Sequence, residues 1–252
     1  MNSMNGNRNL SYYPAVGGID VQSIMRQVYT WMVLGMLITA GFAYVTVSTA
    51  LINFAMNPII LILALLAEIG LVRGISFGLN KISAGTAAML FFVYAALNGF
   101  TLSIIMLTFS LGSVFLAFVS TAALFGAMTV IGYTTKVDLT RMGTFLMMGV
   151  LGLLIAMVIN IFVASEQLDL IISLAGVLIF TGLTAFDTQR IARMAAQMSM
   201  EGDATAKFGS IPSVPPGRQE KHLSPSACGA LRLYLDFIIM FLFMLRLFGR
   251  RR

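Results

Sequence analysis

Reactive and ionisable side chains are scarce in this chain of 252 residues, of which charged residues make up only 10%. It has one cysteine, Cys228, and one histidine, His222. A single cysteine excludes an internal disulfide and any cysteine-rich metal site. A single histidine, set in a proline-rich stretch, excludes a histidine metal cluster and a histidine-dependent catalytic triad. No glycine-rich phosphate loop, HExxH or GxSxG stands in a credible context, so the chain is read as non-enzymatic, with no cofactor. The net charge of +6 could suggest nucleic acid. No basic stripe with interleaved aromatics accompanies it, however, and lysine and arginine fall mostly between apolar stretches.

What the chain has in quantity is hydrocarbon. Hydrophobic residues make up 58% of it, and the mean hydropathy is +0.90, a balance foreign to water-soluble domains. It is therefore an integral membrane protein whose first partner is the lipid bilayer. A hydrocarbon core of roughly 30 Å needs about 20 helical residues. Seven stretches qualify: 28–52, 58–79, 84–107, 113–133, 143–164, 170–187 and 229–249. The connections are short except the last, so successive helices are expected to be antiparallel neighbours. Residues 1–27 read as a polar N-terminal segment without a cleavable signal. Residues 28–249 form the transmembrane domain, 198–227 a proline-rich cytoplasmic loop within it, and 250–252 a basic tail. The loop's composition, with Pro212, Pro215, Pro216 and Pro225, is that of a connector.

Ten lysines and arginines, from Arg8 to Lys221, fall on one side of this topology, whereas the first, third and fifth connections have none. The positive-inside rule then puts the N-terminus in the cytoplasm. Seven crossings place the C-terminus outside, against the basic Arg250–Arg252. Either the tail crosses despite its charge, or the last segment is re-entrant.

Smaller signals carry structural readings. Gly70, Gly74 and Gly78 form a small-residue stripe suited to close helix approach. Asn98 and Asn160, inside spans, suit interhelical hydrogen bonds, and the scattered methionines read as flexible apolar filler.

Five ionisable side chains inside the apolar stretches call for partners: Glu68 and Arg73 in the second, Asp187 at the end of the sixth, Arg232 and Asp236 in the seventh. Intramembrane carboxylates usually face the bundle interior and mark ion or proton paths. Asp236 lies eight residues past Cys228, roughly 12 Å into the membrane at 1.5 Å per residue, where Asp187 can meet it. Two carboxylates brought together out of water cannot both ionise easily, so such a pair shares a proton. It can serve as a gate, a proton sensor or a hard-cation site, for which oxygen ligands suit Ca²⁺. The structural alternative is local pairing, Asp236 with Arg232 and Asp187 with Arg190. Arg73 either neutralises one of the aspartates or extends its charge toward the cytoplasm.

The runs Gly182-Leu183-Thr184-Ala185-Phe186-Asp187-Thr188-Gln189-Arg190-Ile191 and Gly229-Ala230-Leu231-Arg232-Leu233-Tyr234-Leu235-Asp236-Phe237-Ile238, with the ending Leu245-Arg246-Leu247-Phe248-Gly249, resemble the Bax inhibitor family, the transmembrane Bax inhibitor motif proteins. The loop Gly132-Tyr133-Thr134-Thr135-Lys136-Val137-Asp138-Leu139 is similar to the proteobacterial inner-membrane branch. The resemblance covers about residues 20 to 252. It implies an all-α membrane protein in which six helices wrap around a central C-terminal seventh. It also implies a pH-sensitive calcium leak controlled by a hydrogen-bonded aspartate pair, here Asp187 and Asp236, with Glu68 lining the pathway. A second implication, from another class, is a non-conducting regulator of a membrane-bound, ATP-dependent protease, with residues 1–19 and the 188–227 region as contact surfaces.

Overall fold

The computed structural model describes residues 21–78, 84–207 and 223–249. They are almost wholly helical: α1 (Val21–Ser48), α2 (Leu51–Ala55), α3 (Pro58–Gly78), α4 (Ala84–Thr108), α5 (Leu111–Thr134), α6 (Thr140–Val163), α7 (Glu166–Lys207) and α8 (Leu223–Phe248). All but the five-residue α2 are long and apolar enough to cross a membrane. The seven expected spans are thus all present, with shifted boundaries. α1 starts at Val21 because Ile24, Met25 and Val28 continue its buried face below the apolar run, so the last residues of the 1–27 segment are helix. A turn of helix, α2, occupies part of the expected first connection.

The larger correction concerns the loop placed at 198–227. α7 does not end where its apolar stretch ends but runs on to Lys207, through a segment rich in alanine, methionine and glutamine, all good helix formers. α8 begins at Leu223 with Pro225 in its first turn, where a missing N–H costs no hydrogen bond. The rest of that loop, 208–222, lies outside the described residues. So do His222, Lys81, residues 1–19 and the tail 250–252.

α8 is the most buried of the spans. Its principal neighbours are α7, α5, α1 and α4, while α3 packs on α4 and α6 on α7. Four helices rather than six therefore make the main contacts with it. Short connections also fail to predict neighbours throughout: α5 packs on α7 and α8 rather than on α4 or α6, and the largest interface of α4 is with α1. Aromatic rings fill the centre, with Tyr234 edge-on to Phe91 at 5.6 Å and to Tyr94 at 5.8 Å. Phe237 meets Phe125 and Phe118 in the same manner. In lipid, where apolar surface is not expelled, such packing and hydrogen bonds hold helices together. The outer face is apolar instead: Phe162 is 84% and Phe145 73% exposed, the surface that lipid chains cover.

Close approach happens away from the expected glycine stripe. Gly70 and Gly74 face open space among the described residues, and the side of Gly78 lies outside the description. Gly132 of α5 instead lies directly on the Ala185 backbone of α7.

The two ends of the bundle differ. At one end, the start of α1 faces the end of α5, Gly229 of α8 lies by Val28 of α1 and Ile191 of α7, and Gln189 of α7 holds the α5–α6 connection; with Arg26, Lys136, Arg141, Arg190 and Arg193, this is the basic end. At the other, Arg246 of α8 lies 3.7 Å from Asp169 at the start of α7, and Gly249 adjoins Phe109 after α4. α8 is one unbroken helix between the two ends, which removes the re-entrant alternative: the chain leaves the bundle opposite its basic end.

Candidate functional site

α7 and α8 pack side by side, and their facing sides carry the charged groups. Asp187 on α7 is 7% exposed and Asp236 on α8 is 6% exposed. Their carboxyl groups face each other within hydrogen-bonding reach. Arg232, one turn before Asp236, does not pair along its own helix. Its guanidinium donates to Asp187 Oδ1 at 3.3 Å, bridging α8 to α7. Arg190 adds positive potential at Asp187. Asp236 Oδ2 is buried and receives no hydrogen bond. Two acids, one bridging base and one unsatisfied oxygen make an arrangement whose balance depends on a proton.

The other candidates lie apart. Glu68 of α3 accepts a 2.8 Å hydrogen bond from Thr101 Oγ1 on α4, in the interface between those helices. Arg73 is exposed on α3 and takes no part in the contacts of either aspartate. Since α3 packs on α4 rather than on α7 or α8, it stands away from the pair. The asparagines bond locally: Asn98 donates to the Tyr94 hydroxyl of its own helix at 2.9 Å, and Asn160 Oδ1 caps Ser165 N at 3.1 Å after α6.

Several polar side chains near the pair carry no charge to betray them. Tyr234, two residues before Asp236 and completely buried, shares a 2.6 Å hydrogen bond with Thr39 of α1. The Tyr29 hydroxyl of α1 faces those of Thr129 on α5 and Thr188 on α7, yet none of the three closes a hydrogen bond. A signal existed in the spacing: Thr181, Thr184 and Thr188 recur at helical intervals on α7 beside Asp187.

The α5–α6 connection is clamped onto α7 just beyond Asp187. Gln189 accepts from Leu139 N at 3.0 Å and donates to Val137 O at 2.7 Å. Asp138 accepts from Thr140 Oγ1 at 2.7 Å and from Arg193 at 2.6 Å. The hydroxyl of Thr140, the Arg193 guanidinium and the Thr140 N–H hold the Asp138 carboxyl down at about 2.

Ca²⁺ takes roughly six to eight oxygen ligands. Among the described residues no group of three or more metal-ligating side chains gathers. The aspartates supply two carboxylates, and Arg232 would have to release Asp187 before a cation could use both. That chemistry fits passage or gating better than permanent coordination.

Residues 21–252 match the family described as inhibitor of apoptosis-promoting Bax1. The chain is 39% identical over 234 residues to the inner membrane protein YbhL of Escherichia coli K12, covering 92% of this chain and 93% of that one. It is 40% identical over 230 residues to an uncharacterised protein of Borreliella burgdorferi, covering 90% and 92%. A Deinococcus radiodurans protein is 40% identical over 233 residues, covering 92% of each. With a family match that takes in every described residue and relatives about 40% identical over nine-tenths of the chain, the chain belongs to the Bax inhibitor family as a multi-pass, seven-span membrane protein.

Proposed function

We propose that the protein is a pH-sensitive Ca²⁺ leak of the bacterial inner membrane, gated by the Asp187–Asp236 pair, with its N-terminus and basic end in the cytoplasm. The single observation that carries this is the meeting of two buried carboxyl groups from different helices with one bridging guanidinium. With a proton between them, the aspartates bond and hold α7 against α8. Without it, two negative charges repel across a buried interface, and Arg232 is drawn toward both or displaced by a cation. Glu68 lies on another helix pair and stands as a separate acid for a moving cation. The inner-membrane assignment rests on the name of the Escherichia coli relative, and the orientation on the positive-inside rule.

Ca²⁺ uptake into dye-loaded proteoliposomes, across the acid-to-neutral range, tests the reading. Wild type is expected to conduct with a pH dependence that Asp187→Asn and Asp236→Asn both lose. PH-dependent uptake that survives Asp236→Asn refutes the gate. A wild type that conducts at no pH refutes the leak and turns the question to a non-conducting regulator of a membrane protease.

A further inference from the structure

A cleft of 490 Å³ opens at the basic end between α1 and α5, lined by Ser23, Arg26 and Tyr29 on one wall and Thr129, Tyr133 and Thr134 on the other. The two helices do not pack closely on each other; each is held by α7 and α8 instead. Tyr29 and Thr129 line the cleft, and the Tyr29 hydroxyl faces that of Thr188 on α7 as well as that of Thr129. Thr188 is completely buried. All three oxygens are shielded and lack a hydrogen-bond partner, as does Asp236 Oδ2. Unpaired buried polar atoms are uncommon in native proteins, and where several converge beside an open volume, water satisfies them. Thr188 directly follows Asp187 on α7, so the cluster stands one residue along the helix from the aspartate pair.

We propose that the α1–α5 cleft is a water-filled vestibule through which protons reach Asp187 and Asp236 from the basic end, with the Tyr29, Thr129 and Thr188 hydroxyls as its inner relay. The proposal deepens the gating reading and rests on it: it names the route by which the gate senses pH. The charged and titratable groups around the route favour a proton over a metal cation. Arg26 stands at the rim, Tyr29 and Tyr133 line the walls, and Arg190 of α7 and Arg232 of α8 face the aspartates. A proton passes such a field by hydroxyl and water relay, whereas a divalent cation meets arginine at both ends. The leak's cation therefore takes a different path from the proton that controls it.

Two measurements decide the matter. In full-length Cys228→Ser protein in liposomes, Thr129→Cys is expected to react with a charged, membrane-impermeant thiosulfonate added at the basic end. The rate should exceed that of Thr121→Cys, deeper on α5 and completely buried, by about tenfold or more. An inert Thr129→Cys, or one reached only from the opposite end, overturns the vestibule. Deuteration of the carboxylic-acid infrared band that Asp236→Asn removes reports access to the pair without any flux. Filling the cleft by Ser23→Trp is expected to slow it about tenfold, the equivalent of about 1.4 kcal/mol in barrier. Unchanged deuteration means that the proton arrives elsewhere and overturns the route. If wild type shows no such band, the shared proton itself fails. That failure is recognisable separately, because thiol labelling does not depend on it.

Discussion

Replacing Gly132 by alanine adds one methyl group at the tightest contact between α5 and α7. The new Cβ would lie 2.9 Å from Ala185 Cα and 3.0 Å from its carbonyl carbon, and closer still to the carbonyl oxygen. Ordinary contact begins at 3.4 Å, so the helices must part by about half an ångström or more. The obstruction is backbone, which cannot swing aside as a side chain does. Overpacking of this kind costs about 1–3 kcal/mol. Alanine's advantage over glycine in a helix, about 0.5–1 kcal/mol, works the other way. Gly126, six residues earlier on α5, faces open space and isolates that second effect. Both variants gain the same helix propensity, so the difference between them should be the overpacking alone, about 1–3 kcal/mol in favour of Gly126→Ala. Reversible unfolding in mixed micelles, titrated with sodium dodecyl sulfate, measures it. Equal midpoints for the two variants would refute the claimed contact. Ala185 is two residues from Asp187, so Gly132→Ala should also weaken the pH dependence of Ca²⁺ uptake, which Gly126→Ala should leave intact.

The Asp138 clamp should depend on acid. Its carboxyl is held at about 2 against an ordinary 3.8, so its contribution is complete above about pH 4 and is lost as pH falls toward 2. Amide exchange of residues 135–139 should rise in that window, and Asp138→Asn should raise it at neutral pH and abolish the change. Tyr234→Phe removes the hydroxyl bonded to Thr39 while keeping the edge-on ring contacts, and should cost about 0.5–1.5 kcal/mol in the same micelle titration; no loss at all would show that the hydroxyl is not needed to join α8 to α1. Arg246→Gln breaks a pair whose side chains are 39% and 34% exposed at 3.7 Å, and should cost under about 1 kcal/mol. Gly249→Cys in Cys228→Ser protein should be labelled from the face opposite to that reached at Lys136→Cys; labelling of both from one face would contradict the unbroken crossing of α8.

Hydropathy alone located seven spans, because length and apolar content are what a bilayer demands. It could not locate helix ends, since a helix that leaves the membrane stays a helix as long as its residues favour one, as α7 does beyond Asp187. Nor could loop length say which helices touch: α5 joins α7 and α8 through Gly132 and Phe125, contacts without any mark in hydropathy. The aspartates were legible because a charge inside an apolar run stands out at once. Arg232 was legible as a charge but not in its direction, since spacing along α8 offered Asp236 while the packing of α7 offered Asp187. Tyr29, Thr129 and Thr188 escaped notice for a simpler reason: uncharged hydroxyls are common in membrane helices and become informative only when neighbours shut out their partners.

The burial of α8 bears on how the molecule is made. This helix carries Arg232 and Asp236, the residues hydrocarbon tolerates least, yet it is translated after the helices that surround it. By then α1, α4, α5 and α7 have been synthesised, and with them Thr39, Gly176 and Asp187, which receive Tyr234, Phe243 and Arg232 respectively. α8 can thus pass from the insertion machinery into a cradle already furnished with its polar partners, without a stay in bare lipid. A chain truncated before α8 would leave that cradle open to the bilayer, with Asp187 at its wall and no arginine to meet it, a product for membrane quality control to remove.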